Sequence, residues 1–195
     1  MKSVLISIQP KWCELIVSGK KTIEVRKTVP KLETSFKCYI YCTTKEFDVT
    51  IFDYLGLDSV RTVKDGQGMI IGEFVCDRID EFHEWQLSPQ GKFQEYEQKD
   101  LDIFLAASCL TLEEIIAYRK NLPYYKPLYG WHISDLKIYD KPKELKDIAT
   151  RCTVKSCIGC EYYDPGDYCN PPECGVEGFK PIKRPPQSWC YVEGQ

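Results

Sequence analysis

Gly19, Lys21, Glu24 and Arg26 place an ammonium, a carboxylate and a guanidinium within one short stretch of chain. An arginine can clamp a phosphate or a base edge with two N–H groups. A glutamate can accept from an exocyclic amine or act as a base. A lysine can meet a phosphate or, partly buried, serve as an acid or base. The same three residue types also make an ordinary ion-pair cluster on an exposed strand, worth about 0–1 kcal/mol per pair. Spacing alone leaves both readings open, because structural ion-pair networks imitate functional sites.

A second group lies at the other end of the chain. Residues 150–195 hold six cysteines, at 152, 157, 160, 169, 174 and 190. Cys157-Ile-Gly-Cys160 is a CxxC pair, and Cys169 and Cys174 form a looser pair after it. Four thiolates in two close pairs suit tetrahedral zinc, with Asp164-Pro165-Gly166 turning the chain between them. Cys152 or Cys190 can replace one of the four, and free or disulfide-paired thiols are the plainer alternative. A four-cysteine site has no open position, so the zinc expected there is structural. Binding would supply folding free energy, of order 10 kcal/mol in zinc-binding peptides. Such a tail can also serve as a docking surface for a protein partner, presenting Lys180, Lys183 and Arg184. Cys13, Cys38, Cys42, Cys76 and Cys109 stand among apolar residues and read as small core fillers. His83 and His132 are the two histidines, and either can titrate near neutrality.

The elements that must position these groups follow from local pattern. Val4–Ile8 reads as a strand, and Pro10 suits the first turn of a helix over Lys11–Ser18. Gly19 is placed to end that helix in the left-handed conformation. Thr22–Arg26 alternates as a half-buried strand, so Thr22, Glu24 and Arg26 share one face and Ile23 and Val25 the other. Phe36–Cys42 is the next strand. Asp48–Gly66 reads as an insertion with a short helical turn. Met69–Ile79 is the clearest strand, with Gly72 marking a bulge. Glu81–Asp100 reads as a loop excursion and Asp100–Ala107 as a helix. Thr111 and Glu114 form a capping box for a helix to Lys120. Tyr129–Tyr139 returns to strand character. The composition then shifts to Cys, Pro and Gly with few aliphatics, a stretch too poor to build its own core.

The bulk numbers bound the answer. The chain has 195 residues, 43% hydrophobic and 28% charged, with net charge −3. It is therefore not a basic nucleic-acid coat protein. The charge is uneven: residues 1–37 carry 8 Lys+Arg against 3 Asp+Glu, and residues 38–140 carry 10 against 18. A basic front end can face a phosphate backbone locally, or simply solvate a surface. Met1–Pro10 lacks the length and cleavage site of a signal peptide, and no run of about 18 apolar residues spans a membrane. A cytoplasmic location with reduced cysteines is the expectation.

The stretch IQPKWCELIVSGKKTIEVRK, with its Gly-x-Lys-x-x-Glu-x-Arg pattern, resembles the ASCH family, a branch of the PUA-like β-barrels. IIGEFVCDRI and YGWHISDLKIYDKP follow in the expected order, so the resemblance covers roughly residues 1–145. The closing PPQSWCYVE is similar to the ending of ASCH proteins from phages and phage-derived bacterial genes. Beside the Cys-rich extension, 149–195, which lies outside the family's core pattern and whose spacing suits zinc on Cys157, Cys160, Cys169 and Cys174, the resemblance implies an α+β chain: a small mixed barrel over residues 1–148 with short helices at its ends. It implies binding of nucleic acid, RNA above all, or of a nucleotide, through Lys20, Lys21, Arg26, Lys27, Tyr41 and His132. Trp131 is either a stacking platform or a core residue. It also implies an alternative, a hydrolase acting on RNA or on a modified nucleoside, with Lys21 and Glu24 as acid/base partners. One relative in the group deacetylates a cytidine nucleoside with a Lys, a Thr three residues later and a distant Glu. Here Lys21 matches the first, Glu24 stands where the Thr would be, and Glu73 is a loose candidate for the third. Without the hydroxyl the covalent route is lost, although a glutamate can still direct a water.

Overall fold

The computed structural model describes residues 2–44, 66–83, 95–123, 125–151 and 179–193. The chain opens with β1 (Lys2–Ile8), α1 (Pro10–Val17), β2 (Ile23–Arg26), β3 (Phe36–Cys42), β4 (Met69–Cys76) and β5 (Ile79–Phe82). Helices α2 (Glu95–Ser108) and α3 (Leu112–Arg119) follow. Then come β6 (Leu128–His132), β7 (Ser134–Lys143), a 3-10 turn at Leu145–Asp147, and three strands. These are β8 (Ala149–Arg151), β9 (Phe179–Pro181) and β10 (Trp189–Glu193).

The α+β class is as expected. The strands, however, form two sheets that hydrogen bonds do not close into one barrel among the described residues. Seven strands run in the order β7-β4-β3-β1-β10-β8-β9, and three in the order β2-β6-β5. The reason lies at two corners. The clear strand from Met69 stops at Cys76, and after Asp77–Arg78 the chain enters the smaller sheet as β5. The strand expected over Tyr129–Tyr139 likewise divides at Ile133, with β6 in one sheet and β7 in the other. The His132 N–H donates to Arg78 O across these corners at 3.0 Å.

Three packed clusters hold the sheets. Val4, Ile6, Ile8, Ile16, Cys38, Ile40, Phe74 and Trp131 fill one side of the large sheet under α1. Ile23, Val25, Phe104, Ile115 and Leu128 join the small sheet to α2 and α3. Leu5, Tyr39, Tyr41, Ile70, Ile148 and Val192 cover the opposite face of the large sheet. At Gly130 a Cβ would lie 2.9 Å from both Ile23 Cγ2 and Phe104 Cε2. Helix α2 thus packs directly on the β6 backbone, beside β2. Strand β2, expected to be half exposed, is buried at all four residues.

The excursion expected over Glu81–Asp100 is partly regular: Glu81 and Phe82 end β5, and α2 begins at Glu95. The Thr111–Glu114 capping box opens α3 as expected. The register of β4 against β7 shifts between Ile70 and Gly72, the irregularity Gly72 announces. The insertion read over Asp48–Gly66 lies outside the described residues apart from Gly66. The described end of the 149–195 extension is built into the large sheet, where β10 pairs antiparallel with β1 from Lys2–Glu193 to Ile6–Trp189. No helix among the described residues is long and apolar enough to cross a membrane.

Candidate functional site

Helix α1 ends where Ser18 N donates to Glu14 O and Gly19, at φ +71°, turns the chain back. That turn lowers Lys21 onto the end of α2. Its Nζ donates to Ser108 O at 2.6 Å, on the last residue of the helix, where the carbonyl end of the dipole favours a cation. Three residues on, Glu24 Oε2 lies 3.4 Å from the same ammonium. Glu24 Oε1 accepts from Arg26 Nη2 at 2.9 Å. Arg26 is tied further to the large sheet, with Nη2 donating to Ser7 O at 2.7 Å and Nη1 to Ser188 Oγ at 3.3 Å. Lys21, Glu24 and Arg26 are only 2%, 6% and 7% exposed.

Burial decides how this cluster is read. An exposed ion pair contributes little. A buried one loses hydration worth several kcal/mol per ion, which good geometry only offsets. The three groups carry two formal positive charges against one negative. An ammonium has three N–H donors, and Lys21 uses two of them on the partners just named.

The cluster opens on a cleft of about 740 Å³. The size falls within the range of roughly 300–1,000 Å³ typical of small-molecule sites. Its floor comes from the ends of the parallel strands β1 and β3, at Ser7–Gln9 and Thr43–Thr44. One wall is β2; another is α3, with Glu114, Ala117 and Tyr118; the last is Pro185–Ser188. Trp12 of α1 completes the lining, with Lys21 Nζ 5.1 Å and Lys11 Nζ 4.3 Å from its ring centre. Lys11 also pairs with Glu114 at 3.2 Å, linking α1 to α3. The Tyr118 phenol is pushed up by burial, with Arg26 pulling it down and Glu24 pushing it up.

The structure brings together Lys21, Glu24 and Arg26 of the expected residues. Lys27 stands beside the cleft, 4.9 Å from the Tyr118 ring, with Nζ donating to Lys120 O. Lys20 is exposed and does not line the cleft. Tyr41 belongs to the cluster on the far face of the large sheet, because strand alternation turns it towards Leu5 and Ile70. His132 is paired opposite Ile23, whereas Trp131 is opposite Glu24. Alternation therefore turns His132 away from the cleft, and its Nδ1 lies 2.6 Å from Asp77 Oδ1. Trp131 is a fully buried core residue. Glu73 is paired with Tyr39 on the outer face and takes hydrogen bonds from Lys37 and Tyr139. It does not line the cleft, so Glu73 does not supply the third position of the deacetylase pattern.

Cys13, Cys38, Cys42 and Cys76 are buried core thiols, as expected. Burial, reinforced by Cys42 and Glu24, pushes Cys13 well above the ordinary thiol range, the opposite of what a nucleophile needs. Cys109 differs: it is half-buried in the turn between α2 and α3, at φ 53°, with Sγ donating to Lys20 O. The four cysteines expected to hold zinc lie outside the described residues. Sequence reasoning missed Trp12, Thr43, Tyr118 and Pro185–Ser188 as cleft walls. Only the Pro-Pro pair before β10 carried a signal, since adjacent prolines hold a chain extended without sheet pairing.

Comparison with known proteins agrees with the fold. The family model described as "ASCH domain" matches residues 6–116. An ASCH domain-containing ribonuclease of Zymomonas mobilis subsp. mobilis is 41% identical over 54 residues, 28% of this chain. The match spans 36% of that relative's length. Two crystal structures of single-residue variants of the ZmASCH protein from Zymomonas mobilis are also similar. One has TM-score 0.53 at 15% identity over 98% of this chain and 88% of its own. The other has TM-score 0.49 at 18% identity over 74% of this chain and 77% of its own.

Proposed function

The chain belongs to the ASCH domain family, and from that membership we propose that its cleft binds RNA or a nucleotide through Lys21, Glu24 and Arg26. The observation that carries the reading is the burial of these three charges beside an open cleft. A fold gains little from such a cluster that packed apolar residues would not also give. A ligand with phosphates and base edges gains a great deal. Arg26 supplies N–H donors to a phosphate or a base edge. Glu24 offers carboxylate oxygens to an exocyclic amine, and Lys21 its remaining N–H. Trp12 and Tyr118 supply rings on which a base can stack, as in single-strand recognition. Lys27 extends the positive charge past the rim.

A second reading is favoured by the relative's name, a ribonuclease, and by the contact of Lys21 Nζ with Glu24. In it, Glu24 accepts a proton from the attacking hydroxyl or water. Lys21 donates to the leaving oxygen and offsets the charge developing at phosphorus.

Incubation of the protein with labelled mixed-sequence RNA, resolved on paired native and denaturing gels, separates the two. Lys21→Ala is the control. A native shift with intact RNA, lost in the control, supports binding without turnover. Shortened RNA, absent in the control and with Glu24→Gln, supports the hydrolase. RNA that is neither shifted nor cut refutes the ribonuclease and RNA as the ligand, and leaves only the nucleotide.

A further inference from the structure

Two polar atoms of the cleft residues have no use in this account. Arg26 Nε and Thr43 Oγ1 are buried and have no hydrogen-bond partner among the described residues. Both residues line the cleft. Buried donors without acceptors are uncommon, because each forfeits its hydration without return. Neither residue is loosely held. Thr43 N donates to Ile8 O at 2.9 Å, and Arg26 Nη2 donates to the neighbouring Ser7 O at 2.7 Å. Bonds to Glu24 and Ser188 then fix the guanidinium plane. Nε cannot turn to an acceptor elsewhere without breaking them.

We infer that Arg26 Nε and Thr43 Oγ1 together hold a phosphoryl oxygen, so that the cleft takes the phosphate of a nucleotide as well as its base. The inference rests on the nucleic-acid reading above and adds Thr43 as a binding residue. A guanidinium N–H and a hydroxyl are both donors, and one charged oxygen accepts from both. The sign also fits, since the buried cluster carries a net positive formal charge. The base then lies towards Trp12 and Tyr118, the aromatic part of the lining. A neutral base carbonyl would satisfy the same two donors without a charge, and a comparison of nucleosides with nucleotides separates these cases.

Isothermal titration of wild type, Thr43→Val and Thr43→Ser provides the test. The probes are the four ribonucleosides and their 3′- and 5′-monophosphates, with single-stranded RNA in parallel. Wild type is expected to bind one monophosphate series about tenfold more tightly than the nucleosides. Thr43→Val, which keeps the shape and loses the hydroxyl, loses that preference; Thr43→Ser keeps it. Thr43→Ala, lacking the same hydroxyl, is read alongside in case valine does not fit. The melting temperature of Thr43→Val does not fall, because no partner of the hydroxyl is lost. Equal affinity for nucleosides and monophosphates overturns the phosphate position but leaves RNA binding intact. So does a preference that survives in both Thr43→Val and Thr43→Ala, or RNA bound with no mononucleotide bound. Failure of nucleosides, monophosphates and RNA alike removes the underlying reading as well.

Discussion

Glu24 and Glu73 are both strand glutamates held by a lysine and a second donor, yet they lie in opposite circumstances. Glu24 is almost wholly buried, between Lys21 and Arg26, at the edge of a cleft. Glu73 is half-buried on the outer face of the large sheet, 3.1 Å from Lys37 and 2.5 Å from the Tyr139 hydroxyl. Nothing in residue type separates them. The difference comes from what packs around each strand: α2 and α3 cover one face of β2 and the large sheet meets Arg26 on the other, whereas among the described residues the outer face of β4 meets side chains of neighbouring strands and the 3-10 turn. The lesson is that an ion pair becomes a candidate site when burial makes it costly and an adjoining cleft gives a ligand access.

The largest effect is expected from Glu24→Ala. It leaves two cations buried without their shared anion and costs about 3–5 kcal/mol. The matching change, Glu73→Ala, costs about 1 kcal/mol. Urea denaturation of both variants checks the contrast, and equal losses would break it. Next is Gly130→Ala. Its new methyl meets Ile23 and Phe104, and overpacking of this kind costs about 1–3 kcal/mol. Because Ile23 begins β2, RNA affinity is expected to fall along with stability.

A smaller effect concerns pH. Burial alone would raise the Glu73 carboxyl, but the Tyr139 hydroxyl and the Lys37 ammonium outweigh it, and the group titrates below its ordinary value. A carboxyl depressed by folding contributes stability above its unfolded value, about 4.3, and that contribution is lost as pH falls through the folded value. The stability gap between wild type and Glu73→Gln is therefore full at about pH 7 and narrows below about pH 4. A gap that stays constant over that range contradicts the assignment. The smallest effect is expected from Asp77→Asn, which weakens the exposed contact with His132 and leaves RNA affinity unchanged. A large loss would move His132 back into the site.

Much of this was legible in the sequence, and the limits have physical causes. Pro10, Gly19 and the Thr111–Glu114 box announced helix ends, because capping is local chemistry. The ranges of β1 and β3 were readable from apolar runs. The corners at Asp77–Arg78 and Ile133 were not, because a strand that changes sheets keeps the same alternation through the bend. Glu24 and Arg26 could be placed on one strand face, but nothing in the pattern said that face was buried. Helices α2 and α3, some eighty residues away, cover the Ile23–Val25 face, and Ser7 and Ser188 of the large sheet meet Arg26 on the other. Thr43 and Pro185–Ser188 reach the cleft only through the pairing of β1 with β3 and β10, which no local signal encodes.

The most direct measurement of the central claim is fluorescence anisotropy of labelled single-stranded RNA with wild type and Arg26→Lys, at low and moderate salt. Lysine keeps the charge but loses the planar set of donors. The account predicts binding about tenfold weaker in Arg26→Lys, with the melting transition still cooperative. Identical affinity in the two proteins, at both salt concentrations, would mean that RNA does not enter this cleft.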